Sequence, residues 1–154
     1  MKEVYIGADH AGFELKENIK LYLKKKGYEV YDEGAFKIDK LDDYPDFAIK
    51  VAEEISDNLD AKGVLCCGSA QGMCIVANKF PGVRAVSVTN TKEAIITRTH
   101  NNANVLCLSG WRLSRKRAIK ILDAWLNTEF SNESRHIRRL KKITNLENHK
   151  RQCD

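Results

Sequence analysis

The sequence predicts an α/β protein, a three-layer sandwich in which helices cover both faces of a five-stranded parallel sheet. Short β-branched or apolar runs alternate along the chain with segments of helical periodicity, the pattern left by strands joined through helical crossovers. Only 2 Pro and 9 Gly interrupt 154 residues, and a 43% hydrophobic, 31% charged composition is that of one compact globular domain with a substantial core. No run approaches the ~20 apolar residues of a membrane span.

The elements follow in order. A strand is predicted over 4–8, then a helix over 13–25 with Leu15, Ile19 and Leu23 at helical spacing. A strand over 29–31 precedes a helix over 45–58, whose buried stripe is Phe47, Val51 and Ile55. The next strand, 63–67, leads into a helix over 72–79, and the strand at 84–88 into a helix over 91–101. Asn90 with Glu93 supplies that last helix with a capped start. The fifth strand, 105–109, is followed by a helix over 114–126. After Asn127 the alternation ends, and a basic C-terminal helix is predicted over about 134–146. No internal repeat or linker divides the chain, so 1–154 reads as a single domain.

Net charge is +5, and the excess is uneven: residues 112–151 hold 12 Lys/Arg against 4 Asp/Glu. Such a stretch could attract nucleic acid or a smaller anion, or be a solvated helix face. No aromatic-basic interleaving or helix-turn-helix pattern accompanies it, so nucleic acid is not an expected partner. Cys66, Cys67, Cys74, Cys107 and Cys153 contain no CxxC pair, which excludes a disulfide framework and a zinc site. Without an apolar stretch near Met1 long enough for a secretion signal, the expected location is cytoplasmic, away from membranes.

With right-handed crossovers the sheet is Rossmann-like, and ligands bind beyond the carboxyl ends of its strands. The segments there are Asp9-His10-Ala11-Gly12, Gly68 to Gly72, Thr89-Asn90 and Gly110-Trp111-Arg112. In Cys67-Gly68-Ser69-Ala70-Gln71-Gly72, the amides between strand and helix can converge on an anion. A thiol at that place also feels the helix dipole, which favours thiolate. The same position suits a small buried hydrophobe before a tight turn. Cys66 falls on the opposite strand face, and Cys74 and Cys107 read as core. The loop lacks the Gly-Lys-Ser/Thr of a P-loop, the three-glycine dinucleotide spacing, and an arginine to cradle a phosphoryl group on cysteine.

Asp9 and His10 project toward the same crevice, or else cap a helix and lie at the surface. Arg135 and Arg139, four apart, share a helix face and could grip a phosphate, with Arg138 pointing elsewhere. Arg112 starts from the ligand edge, and Trp111 beside it reads as packing. His100 poses a geometric problem, because its helix runs away from the ligand edge for about three turns, ~15 Å. If it is catalytic it serves a neighbouring subunit, which predicts at least a dimer with shared sites. Otherwise it caps a helix end.

Taken together, Gly7-Ala8-Asp9-His10-Ala11-Gly12, Asp43-Tyr44-Pro45, Cys67-Gly68-Ser69, Ala77-Asn78-Lys79-Phe80, Gly82-Val83-Arg84-Ala85 and His100-Asn101-Asn102-Ala103-Asn104-Val105-Leu106 resemble the ribose-5-phosphate isomerase B family, which also contains the galactose-6-phosphate isomerase subunits. The likeness runs from the first strand to about Ile143. It implies a cofactor-free and metal-free aldose–ketose isomerase that interconverts ribose 5-phosphate and ribulose 5-phosphate through an enediol.

On that resemblance, Cys67 is the proton-transferring base and His100 assists ring opening. Asp9 binds a sugar hydroxyl with His10 beside it. Ser69 and the amides of Gly68, Ala70, Gln71 and Gly72 stabilise the anion, while Asn101, Arg112, Arg135 and Arg139 contact substrate and phosphate. Some relatives place a glutamate base where this chain has Met73, which leaves Cys67 for the task. The family loop commonly reads Gly-Thr/Ser-Gly-x-Gly, whereas Ala70 stands here at the middle glycine. A methyl there restricts backbone approach or requires φ below zero, which keeps a hexose-6-phosphate isomerase of allose or galactose type open as an alternative. A non-catalytic phosphate- or nucleic-acid-binding module is the reading from a different class. A homodimer or dimer of dimers is the expected assembly.

Overall fold

The computed structural model describes residues 2–151, with 149–151 as helical backbone alone; Cys153 lies outside the described residues. Five parallel strands, β1 (Glu3–Ala8), β2 (Glu29–Asp32), β3 (Lys62–Cys67), β4 (Ala85–Ser87) and β5 (Val105–Ser109), stand in the order β2-β1-β3-β5-β4. The intervening helices are α1 (Phe13–Lys25), α2 (Tyr44–Asp57), α3 (Gln71–Ala77), α4 (Thr91–Asn101) and α5 (Arg115–Leu126), with α6 (Ser134–Arg151) at the end. The direction of winding reverses between β1 and β3, so Asp9 and Cys67, each just past or at the end of its strand, flank the switch point where such sheets bind ligands.

The central strand sorts its side chains by parity. Val64 and Cys66 face one side, packing with Val4, Ile6, Leu106 and Leu108 beneath α1 and α5. Leu65 and Cys67 face the other, with Val105 and Cys107 beneath α2 and α3. Two apolar layers separated by one sheet make the predicted sandwich, and they place the two adjacent cysteines on opposite faces as expected.

Most predicted elements stand within a residue or two of their places. Asn90 Oδ1 accepts from Glu93 N at 3.0 Å, while the Glu93 carboxylate accepts from Thr89 N at 2.7 Å, one residue earlier than a reciprocal capping box would have it. The helix expected to end near 146 runs on to Arg151, and the sequence after Leu146 holds no Gly or Pro that would stop it. Glu147 in that extension accepts from Gly82 N at 3.1 Å. At its other end, α6 lies beside the close of α4, so it runs along the amino-terminal edge of the sheet.

One charge is buried where only an apolar stripe was predicted. Lys16 shows no exposed side-chain surface, and its Nζ donates to Asp32 Oδ1 at 2.7 Å and to Ala35 O at 2.6 Å. Burial alone would push the Asp32 carboxyl up; the ammonium groups of Lys16 and Lys20 overcome it and hold the group below the usual carboxylate range. The strap 33–43 is anchored to α1 in this way. Among the described residues, no helix is long and apolar enough to cross a membrane.

Candidate active site

Two glycines let the strand ends crowd together. A Cβ on Gly12 would lie 2.0 Å from the Cys66 carbonyl oxygen, and one on Gly110 would lie 2.3 Å from that of Ala11. Into this narrow edge β3 delivers Cys67, 4% exposed, whose Sγ accepts from Ala70 N at 3.2 Å. Burial pushes the thiol up, and the N–H groups of Met73, Ala70 and Ser69 do not offset it. The expected tilt toward thiolate is therefore corrected, since desolvation outweighs the amides at the start of a helix only 7 residues long. The thiolate is scarcer at neutral pH, and a stronger base once formed.

Ala70 corrects a second expectation. It caps α3 with φ 72 and ψ −12, the left-handed conformation, rather than a negative φ. An L-residue there costs roughly 1–2 kcal/mol. The methyl is buried in the α2/α3 layer, and the backbone keeps the path that a glycine would take, with its N–H aimed at Cys67.

Two aromatic rings brace the same loop. A Cβ on Gly68 would meet Trp111 at 2.4 Å, and one on Gly72 would meet Tyr44 at 2.6 Å. Trp111 does pack, as predicted, although its outer face leaves it 73% exposed. Ser109 Oγ donates to Gly68 O at 2.6 Å and accepts from Arg112 N at 3.1 Å, tying the loop to the end of β5. Gln71 Nε2 donates to Ser87 Oγ at 3.3 Å, and Ser69 Oγ accepts from Gln71 N at 3.3 Å. Ser69, Gln71, Arg112 and Arg117 line one cavity of about 180 Å³ here, open to solvent beyond β4 and β5.

On the other side of the crevice, Asp9 is buried and accepts from Gly12 N at 2.9 Å. Burial pushes its carboxyl up despite that amide and the nearby His10. His10 Nδ1 donates to Asp42 Oδ1 at 2.6 Å, and this bond raises the imidazole above its ordinary value even though burial works the other way. Donor atoms of Asp9, His10 and Asp42 all lie within 4.8 Å of one another. These atoms could hold a cation, but Asp42 already has the His10 ring as its partner.

The remaining predicted residues are elsewhere. His100 and Asn101 are exposed in the last turn of α4, and Arg135 and Arg139 are exposed on α6. All lie toward the amino-terminal edge of the sheet. At about 3.3 Å per residue, the five residues of β5 alone put roughly 16 Å between that edge and the Cys67 loop. The His100 ring sits 4.4 Å from that of His136, centroid to centroid. The predicted residues thus fall into two groups, one at each edge of the sheet.

Sequence reasoning missed Asp42, Ser109, Arg117 and His136. Asp42 adjoins the quoted Asp43-Tyr44-Pro45 motif, Ser109 closes a predicted strand, and His136 lies between two predicted arginines, so position could have flagged each. A cavity of about 410 Å³ between Lys62, Arg98 and Glu129 opens at the amino-terminal edge and is lined by none of the predicted groups.

A sequence model described as Ribose/Galactose Isomerase matches residues 4–143. A probable ribose-5-phosphate isomerase B of Mycoplasma genitalium is 43% identical over 94% of this chain and 95% of that protein. Ribose-5-phosphate isomerase B of Escherichia coli is 37% identical over 96% and 97%. The crystal structure of the Mycoplasma genitalium isomerase with bound ribulose-5-phosphate superposes with a TM-score of 0.92, covering 95% of this chain and 96% of that one at 43% identity. That of the Trypanosoma cruzi type B isomerase superposes at 0.91 with 39% identity, covering 97% and 98%.

Proposed function

This chain belongs to the ribose/galactose isomerase family, and from that membership we propose that it interconverts ribose 5-phosphate and ribulose 5-phosphate as a single isomerase domain. The observation that carries the reading is Cys67 at the switch point of the sheet, its sulfur accepting from the amide of Ala70 in the loop that opens α3.

Isomerisation moves one proton between adjacent carbons. Cys67 takes the proton from C2 of the opened aldose and returns it to C1, the hydroxyl proton of O2 passes to O1 at the enediol, and the charge that develops on oxygen is met by Ser69 and the amides through Gly72. Loss of one such preorganised donor typically costs ~10²–10³ in rate. Asp9 holds a sugar hydroxyl. His10, kept protonated by Asp42, faces the anionic substrate with Arg112. The phosphate is remote from the reacting carbons and supplies binding energy that orients them.

His100, Asn101, Arg135 and Arg139 complete the site from a second copy of the chain, since none reaches the Cys67 loop of its own. A two-fold homodimer brings each amino-edge half-site to the partner's carboxyl edge and closes two identical sites. Pairing of dimers into tetramers is compatible with the same interface. A hexose phosphate substrate rested on Ala70 and on the shared family scaffold; Ala70 keeps a glycine-like backbone, and the relatives matched are ribose-5-phosphate isomerases, which favours the pentose. The cytoplasm suits the reading, because sugar phosphates and free thiols such as Cys66, Cys67, Cys74 and Cys107 coexist there.

Replacing Cys67 with Ala tests the proposal. The variant keeps its fold and loses roughly 10²–10⁴ in isomerisation of ribose 5-phosphate, the span expected for removing a positioned base. Full activity in the folded variant would refute it.

A further inference from the structure

Behind His100 stands a histidine that the reaction scheme does not use. His136, on the first turn of α6, is 1% exposed, and its ring lies 4.4 Å from that of His100 at an interplanar angle of 35°. Ser131 Oγ is 2.8 Å from His136 Nδ1, within hydrogen-bond reach, which fixes the ring about its long axis. Phe130 closes in at 6.5 Å. The backbone is tied as well, for Ser131 N donates to Thr99 O at 3.1 Å, next to His100 itself. An exposed imidazole at a helix end is ordinarily free to sample rotamers, but this one rests on a buried aromatic surface held from two directions.

We propose that His136 is a positioning residue for His100, holding that imidazole by stacking at the angle from which it opens the sugar ring in the partner's site. The proposal rests on the reading of His100 as the ring-opening group. In that step the C1–O4 bond breaks, O4 gains a proton and the anomeric hydroxyl loses one, leaving the aldehyde. One imidazole can give the first proton and take the second only if it keeps the same edge toward both oxygens. Around His136, the charged and titratable groups are His100 from α4, Glu133 from the preceding loop, and Arg135 and Arg139 from α6 itself. Burial first, and then His100 and the two arginines against Glu133, push the His136 imidazole down. The shift is toward the neutral ring, which stacks on His100 without adding a like charge beside it.

The test separates ring opening from proton transfer. Ribulose 5-phosphate has its O5 in the phosphate ester and cannot close a furanose ring, so enzyme-catalysed exchange of its C1 hydrogen with D₂O reads the Cys67 step alone. In His136→Asn, conversion of ribose 5-phosphate should fall roughly tenfold to a hundredfold, the scale of a misplaced catalytic group, while C1 exchange stays near the parent rate. Ser131→Ala should show the same split more weakly, and it carries the test if His136→Asn does not fold. Equal loss in both assays would mean that His136 only supports the fold and would overturn the proposal, as would no loss in either. His100→Asn serves as the control. If it leaves ribose 5-phosphate conversion intact, the reading of His100 fails; if it removes conversion while His136→Asn does not, the positioning role alone fails.

Discussion

Replacing Lys16 with Met removes a fully buried ammonium and nearly preserves volume, so the change isolates the polar contacts. Three acceptors then lose this donor, Asp32, the Ala35 carbonyl and Glu17, the last of which keeps Lys20. The Ala35 carbonyl, 2.6 Å from Nζ, is left unpaired at a cost of about 1–3 kcal/mol. Asp32 keeps Lys20 and the Gly34 N–H, so its loss is well short of the 3–5 kcal/mol for orphaning a buried charge. A net destabilisation of about 3 kcal/mol follows, and at 2–4 °C per kcal/mol for a chain of this size the Tm falls by about 6–12 °C. Calorimetry at neutral pH measures it. The difference narrows in acid, because stability from a carboxyl held below its unfolded value is present above the ordinary carboxylate range and is lost as pH falls through the folded value. Lys16 also pins the strap that carries Asp42, so KM for the sugar phosphate rises more than kcat falls. A variant as stable as the parent, or more so, would show that the buried amine contributes nothing over an apolar side chain, and the reasoning would fail.

Other outcomes are equally definite. Gly12→Ala drives a methyl into the Cys66 carbonyl and destabilises by about 3 kcal/mol; a urea midpoint unchanged from the parent would contradict the close packing of the strand ends. Asp42→Asn returns His10 toward the ordinary histidine value, so the rise of KM with pH begins at lower pH than in the parent. Superimposable KM profiles would show that the His10 charge does not contact substrate. Mixing Cys67→Ala with His100→Asn yields hybrids with one intact site each. With half the dimers hybrid, about a quarter of full activity returns, and no recovery after demonstrated subunit exchange would refute the shared site.

The layers and the carboxyl-edge residues were legible because period and parity along the chain are local properties, whereas the strand order β2-β1-β3-β5-β4 that makes the switch point is not. Leu15, Ile19 and Leu23 announce one face of α1, and Cys66 and Cys67 must diverge on any strand. Lys16 was not legible, since a lysine beside an apolar stripe reads as its solvent flank until Asp32 and Ala35 are brought to it by folding. Nor was the direction of the Cys67 shift, which turns on how far desolvation exceeds a few N–H groups. For Asp42 and His136 the neighbouring motifs point to the position but not to the partner, a histidine 32 or 36 positions away, across a separation no spacing rule connects. The separation of His100 from Cys67 was the exception, a long-range fact deduced from helix length alone.

On the proposed shared site, one half of the chemistry stands at each end of the sheet, and concentration becomes part of the catalyst. A lone chain would then hold a base with no ring-opening partner and a ring-opening group with no base. Where monomers predominate, the dimer population grows with the square of total protein, so specific activity falls in proportion to dilution. Turnover per chain then reports how often two copies meet, quite apart from how much sugar phosphate is present.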